Sequence, residues 1–196
     1  MIPDGYTDLA PGKIASVVTY LEMLARPPLP EPSLSPVSLR LVQNPDLDWY
    51  RALYRHAGAQ WFWFSRLEMT DEQLTALLNR ATSELFVAEQ DGRDIGIAEL
   101  DRSKSPDVEI AFFALFPEVI GKGLGRPFMS ALLDRAWSST TGRVWLHTCT
   151  LDSPAALPFY MKCGFHPFKL AIEVADDPRI RGVLPEDVAP HVPIIR

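Results

Sequence analysis

Cysteine is scarce in this sequence. Cys149 and Cys163 are the only two in 196 residues, and no metal-ligand spacing joins them to the four histidines. The pattern offers no metal centre, and a reducing compartment is its simplest reading. Long apolar runs are missing as well. The opening segment "MIPDGYTDLAPGKIASVVTYLEML" has neither a basic start nor a long apolar block, so no signal peptide is expected. No run approaches the length that crosses a bilayer, and the expectation is a soluble, cytoplasmic protein without a membrane partner. An excess of positive charge is lacking too. Nineteen Lys and Arg against 25 Asp and Glu leave a net charge of −6. That argues against a nucleic-acid binder working by bulk electrostatics and is compatible with a cationic small substrate such as an amine.

What is present is core material. Hydrophobic residues make up 47% and charged residues 22% of the chain, enough for one packed domain of medium size. The sequence divides into an N-terminal extension and proline-rich connector over residues 1–36, a compact domain over 37–175, and an irregular tail over 176–196. Within the extension, the β-branched trio Val17-Val18-Thr19 tilts "IASVVTYLEM" toward a strand. The five prolines of "ARPPLPEPSLSP" exclude regular structure there. A strand at a sheet edge or a partner contact are the roles open to this extension, and self-association as a homodimer is left open.

From Val37 the order is legible. "VSLRLV" alternates as a strand, and "NPDLDWYRALYRHAG" has an Asn-Pro-Asp start and a Gly stop around a helical pattern. "AQWFWFSRLEMT" is an aromatic-rich bridge to "TDEQLTALLNRA", where Thr70 and Gln73 have capping-box spacing. "ELFVAEQDGRDIGIAELD" reads as a hairpin turned at Asp91-Gly92. "DVEIAFFALF" is a buried strand, and the helix that follows repeats Phe128, Leu132, Ala136 and Met129, Leu133, Trp137 on one face. "RVWLHTCT" is a strand, "SPAALPFYMKCG" a short helix ended by Gly164, and "FHPFKLAIEVA" a final strand. The order is β-α-α-β-β-β-α-β-α-β, a mixed α/β layer with no internal repeat.

Between the buried strand and its helix stands "IGKGLG", residues 120–125. A strand that enters a helix through such a turn aims free backbone N–H groups and a positive dipole end at one point, which suits an anion. Lys122 and Arg126 flank the turn. The P-loop pattern is absent, and the dinucleotide fingerprint would need a third glycine where Phe128 stands. A turn that merely lets helix and strand pack closely is the plainer reading of these glycines.

The surroundings decide between them. "VEIAFFALFPEVIGKGLG" resembles the acyl-coenzyme A loop of the GNAT superfamily of N-acetyltransferases, with Ile120 standing where relatives carry Gln or Arg. Downstream, "SPAALPFYMKCGF" resembles a second element of that family: Ala156, Phe159, Tyr160, Lys162, Gly164 and Phe165 fit, while Ser153 stands in an Asn position. The resemblance spans about Val37 to Val174. It implies a mostly antiparallel central sheet flanked by helices, with two central strands splayed apart.

The resemblance also implies a site. Gly121, Lys122, Gly123, Leu124, Gly125 and Arg126 would hold the pyrophosphate of acetyl-coenzyme A, and the main chain at Phe113, Ala114 and Leu115 would pair with its pantetheine arm. Tyr160 would protonate the leaving thiolate, a role the motif favours over that of a core tyrosine. Glu109 lies where some relatives keep a carboxylate that deprotonates the amine, or it is a strand-edge Glu facing solvent. Other relatives use a Glu where Thr148 stands here, so that route is absent, and the adjacent His147 is a minor candidate base. Ser153, with Asp152, would take the place of the missing Asn near the pantetheine. The aromatic block lines the acceptor side in the family, which makes Trp61 and Trp63 candidates to hold an amine by cation–π contact, while core packing is expected for at least half the block. Arg66 could bind an acceptor carboxylate, but a place at the surface is the expectation. The activity implied is acyl transfer to a small-molecule amine, without a metal. An acyl-coenzyme A-binding regulatory domain of the same fold is the alternative.

Overall fold

The computed structural model describes residues 4–28 and 35–196, so part of the proline-rich connector lies outside the described residues. The chain runs β1 (Lys13–Met23), β2 (Ser38–Val42), α1 (Leu47–Gly58), α2 (Asp71–Leu78), β3 (Ser83–Gln90), β4 (Arg93–Asp101), β5 (Asp107–Leu115), α3 (Gly125–Ala136), β6 (Arg143–Cys149), α4 (Ala156–Lys162) and β7 (His166–Asp176). The strands form one seven-stranded sheet in the order β2-β3-β4-β5-β6-β1-β7. Every neighbouring pair is antiparallel except β5 with β6. No helix among the described residues is long and apolar enough to cross a membrane.

Local signals start and stop these elements. The Asp46 carboxylate accepts a hydrogen bond from the Trp49 N–H at 2.9 Å and caps α1. Thr70 Oγ1 accepts from the Gln73 N–H at 3.3 Å while Gln73 Oε1 accepts from the Thr70 N–H at 3.0 Å, which completes the capping box of α2. At the β3–β4 turn both Asp91 and Gly92 have positive φ, as a tight hairpin requires. On α3, Phe128, Met129, Leu132, Leu133 and Ala136 are buried against the sheet. Each large apolar side chain so buried stabilises the fold by about 1.5–3 kcal/mol.

The expected start of the compact domain at Val37 needs correction. β1 lies inside the sheet between β6 and β7, with Val18 opposite Cys149 on one side and Ala171 on the other. Its alternate residues Ile14, Ser16 and Val18 are buried on one face, so the strand is sheet interior and not an added edge. The β-branched trio pointed to a strand, but pairing across more than a hundred residues carries no local signal.

The tail also packs. Leu184 and Ala189 are buried with Ile14 and Phe62. Arg179 forms a buried pair with Asp177 at 2.7 Å and donates to the carbonyls of Val188 and Val192, at 3.2 and 2.9 Å. That guanidinium also lies 4.8 Å from the Phe62 ring centre, which ties the irregular segment to the aromatic block.

Candidate active site

β5 and β6 run together for only three residue pairs, Asp107–Glu109 against Arg143–Trp145. On its other side β5 changes register: Leu100 faces Ile110 but Glu99 faces Phe112, so Ala111 is left over as a bulge. A bulge bends the strand that carries it, and β5 beyond Glu109 diverges from β6. A cavity of about 680 Å³ fills the opening. Phe113, Ala114 and Leu115 line it, as do Trp61 and Trp63, Glu109, Ser153 and Tyr160.

The glycine turn forms one end of this cavity. Gly121 and Gly123 have φ of 82° and 79°, and an added Cβ at either would meet nothing within 4 Å. Both backbones therefore face open space in a conformation that other residues rarely adopt. α3 starts at Gly125 without a side-chain cap, which leaves its first N–H groups without intrahelical acceptors. Gly121, Gly123, Leu124, Gly125 and Arg126 all line the cavity. Lys122 does not. Its N–H is committed to the Val119 carbonyl at 3.3 Å and its side chain is exposed. Ile120 lines the cavity mouth with half of its surface exposed. The residues present therefore fit an extended phosphorylated ligand whose anion rests on main-chain donors.

Tyr160 enters from α4. Its ring meets Phe113, Phe159 and Phe165 edge-on, at 6.3, 5.5 and 6.4 Å between centres. Burial holds its hydroxyl above its ordinary pKa, and the nearby Asp152 and Cys163 add to the effect. The phenol therefore keeps its proton until a strong demand arises.

Asp152 is the anchor of that wall. Its carboxylate accepts from the Thr148 hydroxyl at 2.5 Å, from the Cys149 N–H at 3.0 Å and from the Trp63 indole N–H at 3.4 Å. Ser153 lines the cavity while its hydroxyl accepts from the Ala155 N–H at 3.3 Å, which holds the turn into α4.

Glu109 and His147 stand across the point of divergence, 3.8 Å apart. Burial raises Glu109 above the usual carboxylate range; Lys104 and Arg66 oppose this and Asp101 adds to it. Burial lowers His147, against the pull of Asp152 and Glu173. Glu173 of β7 lines the same cavity.

The aromatic block divides as a run of four must. Phe62 is buried against the tail, and Trp63 sits 4.8 Å from Phe112 and 5.4 Å from Tyr54. The Trp63 ring lies directly on Gly58, where any Cβ would come within 2.2 Å of it. Arg66 is not at the surface, contrary to expectation. It pairs with Glu99 at 2.8 Å and lies 4.7 Å from the centre of the Phe112 ring. Glu99 also accepts from the Tyr50 hydroxyl. The sequence held one clue to this network: Glu99 is a lone charge in the apolar run "IGIAEL", and a charge buried there must be paired.

An open sheet whose parallel pair splays into a cavity, with a glycine turn at a helix N-terminus, defines an α/β acyltransferase architecture. The chain matches the model of the acetyltransferase (GNAT) family over residues 50–165, more than half of its length, and it belongs to that family. Acyl transfer with coenzyme A as carrier is the general chemistry of this fold. Among curated proteins none matches the sequence. The fold is similar to that of a GCN5-related N-acetyltransferase from Sphaerobacter thermophilus, with TM-score 0.59 and 14% identity over 83% of this chain and 52% of that one. It is similar to a functionally unknown conserved protein from Staphylococcus epidermidis, with TM-score 0.57 and 17% identity over 85% of this chain and 64% of that one. It is also similar to a spermidine N-acetyltransferase from Vibrio cholerae, in complex with CoA and spermine, with TM-score 0.55 and 24% identity over 68% and 83%. The chain spans less than two thirds of the length of the first two.

Proposed function

We propose that this protein is an N-acetyltransferase that moves the acetyl group of acetyl-coenzyme A to a primary amine of a small molecule by direct attack. The observation that carries the reading is the divergence of β5 from β6 between the glycine turn and Tyr160. Acetyl-coenzyme A would supply an activated thioester carbonyl. The backbone donors of Gly121 and Gly123 to Arg126 would take its pyrophosphate, and the free edge of β5 at Phe113, Ala114 and Leu115 would take its pantetheine amides. Lys122, outside the cavity, would add only long-range charge.

Glu109 would receive a proton from the amine as the new C–N bond forms. Tyr160 would give its proton to the sulfur as the C–S bond breaks, and its raised pKa keeps that proton available. Asp152 would position the wall that carries Ser153 and Trp63. Trp61 and Trp63 would flank the acceptor, with the acidic Glu109 and Glu173 favouring an amine over an anion.

Titration calorimetry with acetyl-coenzyme A, paired with a thiol-release assay across an amine panel, tests this reading. Saturable donor binding with turnover on at least one amine is expected. Tight binding with no turnover on any amine favours the regulatory alternative, and no donor binding sinks both.

A further inference from the structure

β7 is the last strand of the sheet, and its outer edge has no strand partner among the described residues. Such an edge is a template for another strand, which proteins commonly blunt by shortness, charge or bulges. β7 is eleven residues long, its bulge against β1 lies near its start at Phe168, and beyond that bulge one of its faces is apolar: Leu170, Ile172 and Val174 are between 51% and 69% exposed. Val17, opposite Ile172 on β1, widens the patch.

The residue order of "HPFKLAIEVAD" says what fits this edge. When β7 pairs antiparallel with a second copy of itself about a two-fold axis through Ala171, each residue faces the one equally far beyond Ala171. Lys169 then faces the second copy's Glu173, and by symmetry Glu173 faces the second copy's Lys169. On the other face Leu170 meets the second copy's Ile172, and the paired core stops short of the bulge at Phe168. Moving the axis to Leu170 sets Lys169 opposite Ala171 and Glu173 opposite Pro167. Moving it to Ile172 sets the two charges opposite Ala175 and Ala171. Only the Ala171 register pairs both charges while keeping apolar residues together, and register follows such patterns.

We infer that the chain forms a two-fold dimer by antiparallel pairing of its β7 edges, in the register that sets Lys169 opposite the second copy's Glu173. Glu173 lines the cavity, so each copy places a lysine at the rim of the other's cavity. Lys169 is exposed, and its ammonium lies 4.4 Å from the centre of the Tyr20 ring.

Sedimentation velocity of the full chain over a micromolar concentration series is expected to show a dimer. Lys169→Glu or Glu173→Lys sets like charges face to face at both symmetry-related pairs and is expected to weaken association roughly tenfold. The double reversal is expected to restore the dimer, and the two single variants mixed together are expected to form a mixed dimer. A monomer throughout the series overturns the inference. So does a dimer indifferent to both single reversals, or one that neither the double reversal nor mixing restores.

Discussion

Glu109 Oε1 and His147 Nδ1 stand 3.8 Å apart where β5 and β6 begin to separate, too far for a direct hydrogen bond. Burial acts on them in opposite directions, raising the carboxyl and lowering the imidazole, so that the neutral form of each is favoured.

A pH dependence follows from that pair. Glu109 can take a proton only as a carboxylate, so turnover should rise with pH through a pKa above the usual carboxylate range. Glu109→Gln should remove this limb and lower turnover about a hundredfold. Its effect on stability has the opposite sense. A folded-state pKa above the unfolded value means that Glu109's contribution to stability is present at low pH and is lost as pH rises through the folded value. The Gln variant should therefore resist urea better than the parent above neutral pH. Rate profiles and urea titrations check both halves, and an unchanged acid limb in the variant removes Glu109 from the base role.

Tyr160→Phe keeps the ring packed on Phe113, Phe159 and Phe165 but deletes the proton. Turnover should fall about a hundredfold while donor affinity stays within a factor of about two. Calorimetry and steady-state rates separate the two effects. An unchanged rate would show that another group protonates the thiolate.

Gly123→Val forces a β-branched residue to a φ of 79° on a backbone that faces open space. The strain is about 1–2 kcal/mol, and the added methyl groups would project toward the proposed pyrophosphate. Donor affinity should drop by roughly tenfold or more, with a thermal midpoint lowered by only a few degrees. Retained affinity would mean that the turn is not the cradle.

Glu99→Ala leaves the Arg66 guanidinium buried without its partner; the two side chains are only 8% and 13% exposed. Breaking a buried pair from one side costs about 3–5 kcal/mol. Urea unfolding should report a loss of that size, and a smaller one when Arg66→Met accompanies Glu99→Ala. A single-variant cost below about 1 kcal/mol would show that water reaches the pair.

How much of this was legible depended on the range of the physics involved. The Thr70–Gln73 capping box, the Asp91-Gly92 hairpin and the open glycine turn at Gly121 and Gly123 each rest on a few neighbouring residues. Each is where the sequence put it. The buried face of α3 followed from its period alone. Arg66 was misplaced because its partner, Glu99, lies 33 positions away on β4, and only the packing of the aromatic loop onto Glu99 and Phe112 of the sheet brings the two together.

The sequence by itself determined the elements, the family and the residue types of the candidate site, because period, capping and turn chemistry act over short spans. Tertiary structure decided the rest. It alone set β1 between β6 and β7, ended the β5–β6 pairing after three residues, and gathered Glu109, His147, Asp152 and Tyr160 around one cavity. Those outcomes depend on pairings between segments far apart in the chain, where the burial of each strand is settled only by all the others.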